Sequence, residues 1–542
     1  MTAPSAPRII AFEGMDGAGK STVIAKVAEA LRARGVSVLL PRSGKEHDSR
    51  PTRHIRRLTR DPRNVDLSPR AELSLYCARE AQVLDEVVRP AVARGETVLL
   101  DRSLLTPVVL GAWGRGLPRQ QCEQVAAVAS DGLEPDVTLI FDVHPRTSRL
   151  RKRVEKVRDH NFEPGGRKGL SGSGLKERVR RGYLELAAER GWPVFHVERI
   201  TPDQLAARVC AVLFEGARPE ALEDPLDAVP AWQLAREVTL GEAIDALPLP
   251  VALYLTNGLQ AARELRRRSL ELEPQLCAWG MDATDPLLER AAEVEPIYAL
   301  RSLTRRPLED GDQRLELLES HPAEALAALR YLVGGHADAL REQWAEREPG
   351  ATTLSLMGRE DALAWALRDR CWKRSGPIER AQSLTGCQSD RAWKLRDALV
   401  SKDPVLALSS LRGVPGARAD ALLSRYAAHA PKPALRALGG RSDAFAHELR
   451  EALWETGREV IDSVRGLDDE ASWEIRQRGA EHWPSTVIDS LRGLGPGARR
   501  DAMVAECQRL GAGDAHVLRR VAALDEEPLQ PTWLRQGPSE DD

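Results

Sequence analysis

The residues with the most evident chemistry are Gly14-Met15-Asp16-Gly17-Ala18-Gly19-Lys20-Ser21, spaced as G-x-x-x-x-G-K-[ST] and followed by Thr22. Glycines let successive backbone amides curl around phosphate oxygens with no Cβ in the way. Lys20 sets a positive charge on the β- and γ-phosphates of a nucleoside triphosphate, and the Ser21 hydroxyl can ligate Mg2+. Gly14, Asp16, Gly17, Ala18, Gly19, Lys20, Ser21 and Thr22 are therefore the expected nucleotide-binding residues, and Ser21 the first expected metal ligand.

Such a loop works only between a strand that delivers it and a helix whose positive end follows it. Both are in place: the apolar run Ile9 to Phe12 precedes the loop, and an amphipathic run from Thr22 follows it. Further β-rich runs at Val36 to Leu40, Thr97 to Leu100, Val137 to Val143 and Val194 to Val197 alternate with longer amphipathic stretches. That alternation predicts βαβ units, hence an α/β P-loop NTPase domain with a parallel sheet flanked by helices over residues 1–215. Residues 216–231, rich in proline and acids without periodicity, read as a linker.

Lys+Arg 78 against Asp+Glu 81 gives a formal net charge of −3, which excludes the whole-chain basicity of a nucleic-acid coating protein. The 7 cysteines are scattered, with no Cys-x-x-Cys spacing, and no stretch approaches the roughly 18 apolar residues of a membrane span. A reducing, cytoplasmic location with no membrane partner is expected.

Phe12 to Thr22 (FEGMDGAGKST) resembles the thymidylate kinase family, and the likeness continues through Glu72 to Glu80, Val87 to Ser103, Gly114 to Leu117, Pro135 to Val143 and Gly182 to Glu189. The resemblance implies ATP- and Mg2+-dependent phosphoryl transfer to a nucleoside monophosphate, dTMP or a related acceptor. It implies that Asp16 holds the acceptor's sugar hydroxyl, that Arg79 faces the acceptor base or phosphate, that Arg102 meets the acceptor phosphate, and that Asp101 assists metal or phosphate placement. Two polyanions must be brought together, so fixed cations and a metal are needed to offset their repulsion. Ala18 leaves the loop without an arginine, and the family logic then puts the transition-state arginine on the Arg/Lys-rich, glycine-containing segment 148–181, with Arg149, Arg153 and Arg158 as candidates. At the family's base-reading positions this chain has Leu75, Pro107 and Leu110 in place of an aromatic ring, a polar reader and a tyrosine, and Arg42 to Lys45 replaces a glutamate-proline pair. Weakened discrimination among bases is expected.

Beyond the linker the pattern changes. Gly358, Gly386, Gly413, Gly440, Gly466 and Gly493 recur every 26–28 residues, each two positions after Leu356, Leu384, Leu411, Leu438, Val464 and Leu491. Each unit reads helix, glycine turn, helix, and such units stack into an all-α helical-repeat solenoid resembling short HEAT-like repeats, expected over 232–525 with weaker copies from near Leu253 and a flexible tail at 526–542. Trp365, Trp393 and Trp473 read as packing between repeats. Arg412, Arg465 and Arg492 immediately precede turn glycines, which favours a helix-end role over a nucleic-acid stripe. A protein partner on the repeats is the expected alternative use of the chain, with the kinase-like domain then acting as a regulatory NTPase or nucleotide sensor. Nucleic acid is not the favoured partner, and a homodimer is left open.

Overall fold

The computed structural model describes residues 8–41, 49–152 except 146 and 150, 166–219 except 199, and 313–512, together with isolated positions near the ends of the last stretch. The candidates Arg153 and Arg158, the weaker repeats near Leu253, most of the linker and the tail lie outside the described residues. The chain divides into two compact units, the first over residues 1–169 and 173–247 and the second over 248–542 together with 170–172.

In the first unit, strands β1 (Ile9–Gly14), β2 (Val38–Leu39), β3 (Thr97–Asp101), β4 (Val137–Asp142) and β5 (Val194–His196) form one parallel sheet in the order β2-β3-β1-β4-β5. The central strands are buried on both faces, so β1 and β4 read as continuous apolar runs rather than alternating ones. Phe12, Phe141 and Phe195 stack across β1, β4 and β5 with centroids 5.7 and 5.4 Å apart. Helices α1 (Lys20–Ala33), α2 (Arg50–Arg60), α3 (Pro69–Val83), α4 (Arg89–Ala93), α5 (Leu105–Val109), α6 (Arg119–Ser130), α7 (Gly174–Arg190) and α8 (Pro202–Glu215) surround it. In α1, Val23, Ile24, Val27, Ala28 and Leu31 make one buried stripe against the sheet. α8 begins on a reciprocal Thr201–Gln204 capping box and ends at Gly216. No described helix is long and apolar enough to cross a membrane.

The second unit is mostly helical, and its period is the one expected. Short helices (Pro349–Ser355, Pro377–Ser383, Pro404–Ser409, Pro431–Ala437, Glu459–Ser463, Pro484–Ser490) alternate with longer ones (Ala362–Cys371, Asp390–Val400, Ala417–Tyr426, Ala444–Ala452, Glu470–Ala480, Ala498–Leu510). All six turn glycines have φ between 72° and 91°, which L side chains avoid. Successive short helices pack directly on one another.

What joins the repeats is a fully buried arginine on each of five long helices: Arg341, Arg368, Arg396, Arg450 and Arg476. The Arg396 guanidinium donates to Leu384 O (2.5 Å) and Cys387 O (2.6 Å), the unpaired end of the preceding short helix, and Nε reaches Ser410 Oγ (3.1 Å) on the next. Arg341, Arg450 and Arg476 repeat this with Ser355, Ser463 and Ser490, each at 3.0 Å. Orphan carbonyls at a helix C-terminus attract a cation, so the arginine caps one helix while bonding another. The same guanidiniums lie on the recurring tryptophans. Trp365 sits between Arg368 (4.6 Å) and Arg391 (4.9 Å), Trp393 between Arg396 (4.9 Å) and Arg418 (4.7 Å), and Trp473 between Arg476 and Arg499 (4.8 Å each). In each sandwich the second cation comes from the following repeat.

The unit centred on Gly413 departs from this plan: Leu423 stands where the arginine would be and Ala437 where the serine would be, both buried. The two residues are replaced together. We therefore expect Arg396→Leu to lower stability by about 2 kcal/mol, because two buried carbonyls lose their donor. Ser410→Ala should then cost less in that variant than in the parent, measured by thermal unfolding. An equal cost in both backgrounds would mean that the arginine and serine act independently.

Candidate functional site

Gly14 ends β1 at φ 127°, and a Cβ there would lie 2.2 Å from Phe141 O, so only glycine lets the chain leave the sheet beside β4. Gly17, at φ 82°, passes so close to the backbone of Ser148 that a Cβ would meet its carbonyl at 2.9 Å. The loop then reaches Gly19 and opens α1, whose first residue is Lys20 rather than Thr22. Lys20 is buried, and its ammonium donates to Gly14 O (3.0 Å) and Met15 O (2.7 Å). Burial, and secondarily the nearby Arg102, push it down to about 7, against the opposing pull of Asp101, Asp16 and Glu13. Ser21 and Thr22 are exposed at the helix entrance.

Asp101 is the last residue of β3, and Arg102 follows it at φ 82°, a conformation unusual for a residue other than glycine. The turn is held by Arg102 N donating to Phe12 O (3.1 Å). Arg102 spans the site: Nη1 donates to Gly14 O (2.5 Å) and Nη2 to Asp16 Oδ1 (2.6 Å). Its charge holds the Asp16 carboxyl well below the usual carboxylate range. Ser21 Oγ donates to Asp101 Oδ2 at 2.7 Å, so the two expected metal-site residues, one from the helix and one from the strand end, share a single point. A hydroxyl and a carboxylate are the hard oxygen donors that Mg2+ takes alongside water and phosphate, so these residues fit that ion.

Arg79, on α3, lies over Tyr76 at 5.3 Å and is paired with Glu80 through Nη2, with Nε to the same carboxylate at 3.1 Å. Lys168 lies over Tyr76 as well, at 5.0 Å. Leu110 and Tyr76 pack together with Leu175, and Pro107 is buried in α5, so these two base-reading positions serve packing here.

Several residues at the site were not apparent from the spacing. Glu13, fully buried in β1, accepts from Ser103 N (2.6 Å), Ser103 Oγ (2.8 Å), Thr106 Oγ1 (2.7 Å) and Tyr183 OH (3.1 Å), which fixes the floor beneath Arg102. Ser148 Oγ donates to Asp16 O (2.7 Å) and accepts from Lys176 Nζ (3.0 Å), while Arg151 donates to Gly17 O (3.3 Å). Arg149 lies in the same segment; together with Lys152 it adds to the burial that lowers Lys176 to about 8. A glutamate inside an otherwise apolar strand was the one visible sign of the Glu13 network. Nothing in the Arg/Lys run distinguished Arg151 from its neighbours.

The family model for thymidylate kinase matches residues 12–199. The thymidylate kinase of Trichlorobacter lovleyi is 40% identical over 218 residues, which is 39% of this chain and 99% of that protein. That of Nitratidesulfovibrio vulgaris (strain DSM 19637 / Miyazaki F) is 36% identical over 221 residues, again 39% of this chain and 99% of the relative. A solved thymidylate kinase from Ehrlichia chaffeensis is 20% identical, covers 38% of this chain and 97% of its own, and has a TM-score of 0.28. With two relatives matched along nearly their whole length at this identity, the chain belongs to the thymidylate kinase family.

Proposed function

We propose that the amino-terminal unit transfers the γ-phosphoryl group of ATP to a nucleoside monophosphate, dTMP or a close relative, giving ADP and the diphosphate. An acceptor phosphate oxygen attacks the γ-phosphorus as the bond to the β,γ-bridging oxygen breaks, and the electron pair leaves on ADP. The observation that carries this reading is the convergence of Lys20 and Arg102 on one carbonyl, that of Gly14, in a chain of this family. Lys20 serves the donor's β- and γ-phosphates, and Arg102 the acceptor phosphate, so the attacking and leaving groups are neutralised from one anchor. Mg2+, when bound, withdraws charge from the phosphate oxygens, and Ser21 with Asp101 would hold it. Asp16 orients Arg102 and receives the acceptor's sugar hydroxyl. Arg79 faces the acceptor, and the basic segment that includes Arg149 supplies further positive charge. We assign the repeats to partner binding, with HEAT-like stacking as their architecture.

Purified protein with ATP, Mg2+ and a panel of nucleoside monophosphates should form ADP only when an acceptor is present. Lys20→Ala should lower turnover by about 10²–10³-fold. With Leu110 and Pro107 committed to packing, preference for dTMP over dUMP should stay under about 10-fold. ADP release without an acceptor would replace the kinase reading with that of a hydrolysing sensor.

Lys20 also gives a pH signature. Its ordinary value is 10.5 and its folded value about 7, so between these the unfolded chain binds the extra proton. The ligand-free protein should therefore gain stability as pH rises from about 7 and lack that gain at lower pH. Thermal unfolding against pH for the parent and Lys20→Met measures this directly. Parallel curves would show that the ammonium is not desolvated as described.

A further inference from the structure

Along each short helix of the repeat unit the residues at i, i+4 and i+7 form one row, most of it partly or fully exposed, with Met357, Thr385 and Asp489 buried in it. In the first two complete repeats these are Gly350, Leu354 and Met357, then Ile378, Gln382 and Thr385, without a charge. In the next four they are Val405, Ser409 and Arg412; Lys432, Arg436 and Gly439; Arg458, Asp462 and Arg465; and Ser485, Asp489 and Arg492. Six cations thus face two carboxylates on one continuous surface, in a chain whose total charge is negative.

The arginines before the turn glycines do more than end helices. Arg412 lies across the next helix, its Nε 3.3 Å from where a Cβ on Gly439 would be. Arg465 reaches Asp489 on the helix after its own, where Arg492 (3.3 Å) and Arg520 (2.9 Å) also converge, so one carboxylate answers three guanidiniums. Lys432 has Glu459 at 3.9 Å. On the other side of the stack neighbouring repeats are joined by ion pairs: Arg370 and Arg374 with Glu346, Arg391 with Asp369, Arg478 with Glu451, Arg499 with Glu470.

We propose that this face binds the phosphodiester backbone of a nucleic-acid strand. Four helices packed about 8–10 Å apart carry the cations over roughly 30 Å, too far for one small anion. Five of the six are arginines, whose planar fork matches phosphate oxygens. The four repeats offer no aromatic residue in that row and only Val405 as an apolar one, whereas a protein partner would need an anchor to fill a pocket. Contacts of this kind hold the backbone and leave base sequence unread.

The test is fluorescence anisotropy of the full chain with a labelled single strand of about 20 nucleotides. Four phosphate contacts predict roughly 50-fold weaker binding at about 200 mM salt than at about 50 mM. Arg412→Glu with Arg436→Glu should weaken low-salt binding at least about 10-fold and lower the slope of log Kd against log salt by about 1.4. Arg412→Ser with Arg436→Ser gives the same direction if the reversal impairs folding. No binding at tens of micromolar, or equal affinity in the variants, overturns the proposal. So does displacement of the strand by polyglutamate as readily as by unlabelled DNA, which would make the face a site for acidic protein.

Discussion

A single carbonyl oxygen, that of Gly14, accepts from both Lys20 and Arg102, and the phosphate site is organised around that sharing. Two cations brought to one acceptor repel each other, and they stay because Asp16, Asp101 and Glu13 surround them. The geometry leaves no freedom at residue 14, where the chain must turn beside Phe141 without a Cβ. Arg102 takes an unfavourable backbone conformation for the same reason. A relaxed φ would swing its side chain off the carbonyl, and the buried Glu13 network holds the turn in place. Phosphate binding and the strand ends are thus parts of one constraint.

The repeat unit solves a different problem with similar chemistry. Short helices leave carbonyls unpaired at their C-terminal ends, and a buried arginine satisfies several at once. Burial lowers Arg341, Arg396, Arg450 and Arg476 only to about 10, so each remains charged at neutral pH. Stacking on Trp393 and Trp473 replaces part of the hydration that Arg396 and Arg476 give up.

The five strands and the phosphate loop were legible because their signals are local: apolar runs of strand length and glycines at fixed offsets. The glycine period revealed the repeats for the same reason, since positive φ restricts residue type. The buried arginines were not legible. Charged residues on a helix are ordinarily solvated, and only the three-dimensional position of Ser410 or Leu384 shows Arg396 to be internal. An arginine beside a turn glycine stands out in the sequence, whereas one ten residues after the glycine, such as Arg396 or Arg450, looks like any helix-surface charge although it holds the stack together. Lys432, Arg436 and Arg458 likewise looked like ordinary surface charge until the short helices aligned them with Arg412 and Arg465. Of the candidate site, Lys20 and Ser21 follow from the loop's spacing, and Asp16, Asp101 and Arg102, which the family resemblance implied, meet around them. Arg79 is drawn to Glu80, its sequence neighbour, an interaction that motif spacing does not weigh.

The junction at Leu423 and Ala437 has a mechanical meaning. That seam replaces a buried guanidinium staple with nondirectional packing and keeps Arg441 as its directional link, donating to Val414 O (3.4 Å) and Asp420 Oδ1 (2.8 Å), so it resists rocking less than a stapled junction does. An array built this way is two stiff arms joined by one compliant knuckle, able to follow a ligand whose curvature it does not share.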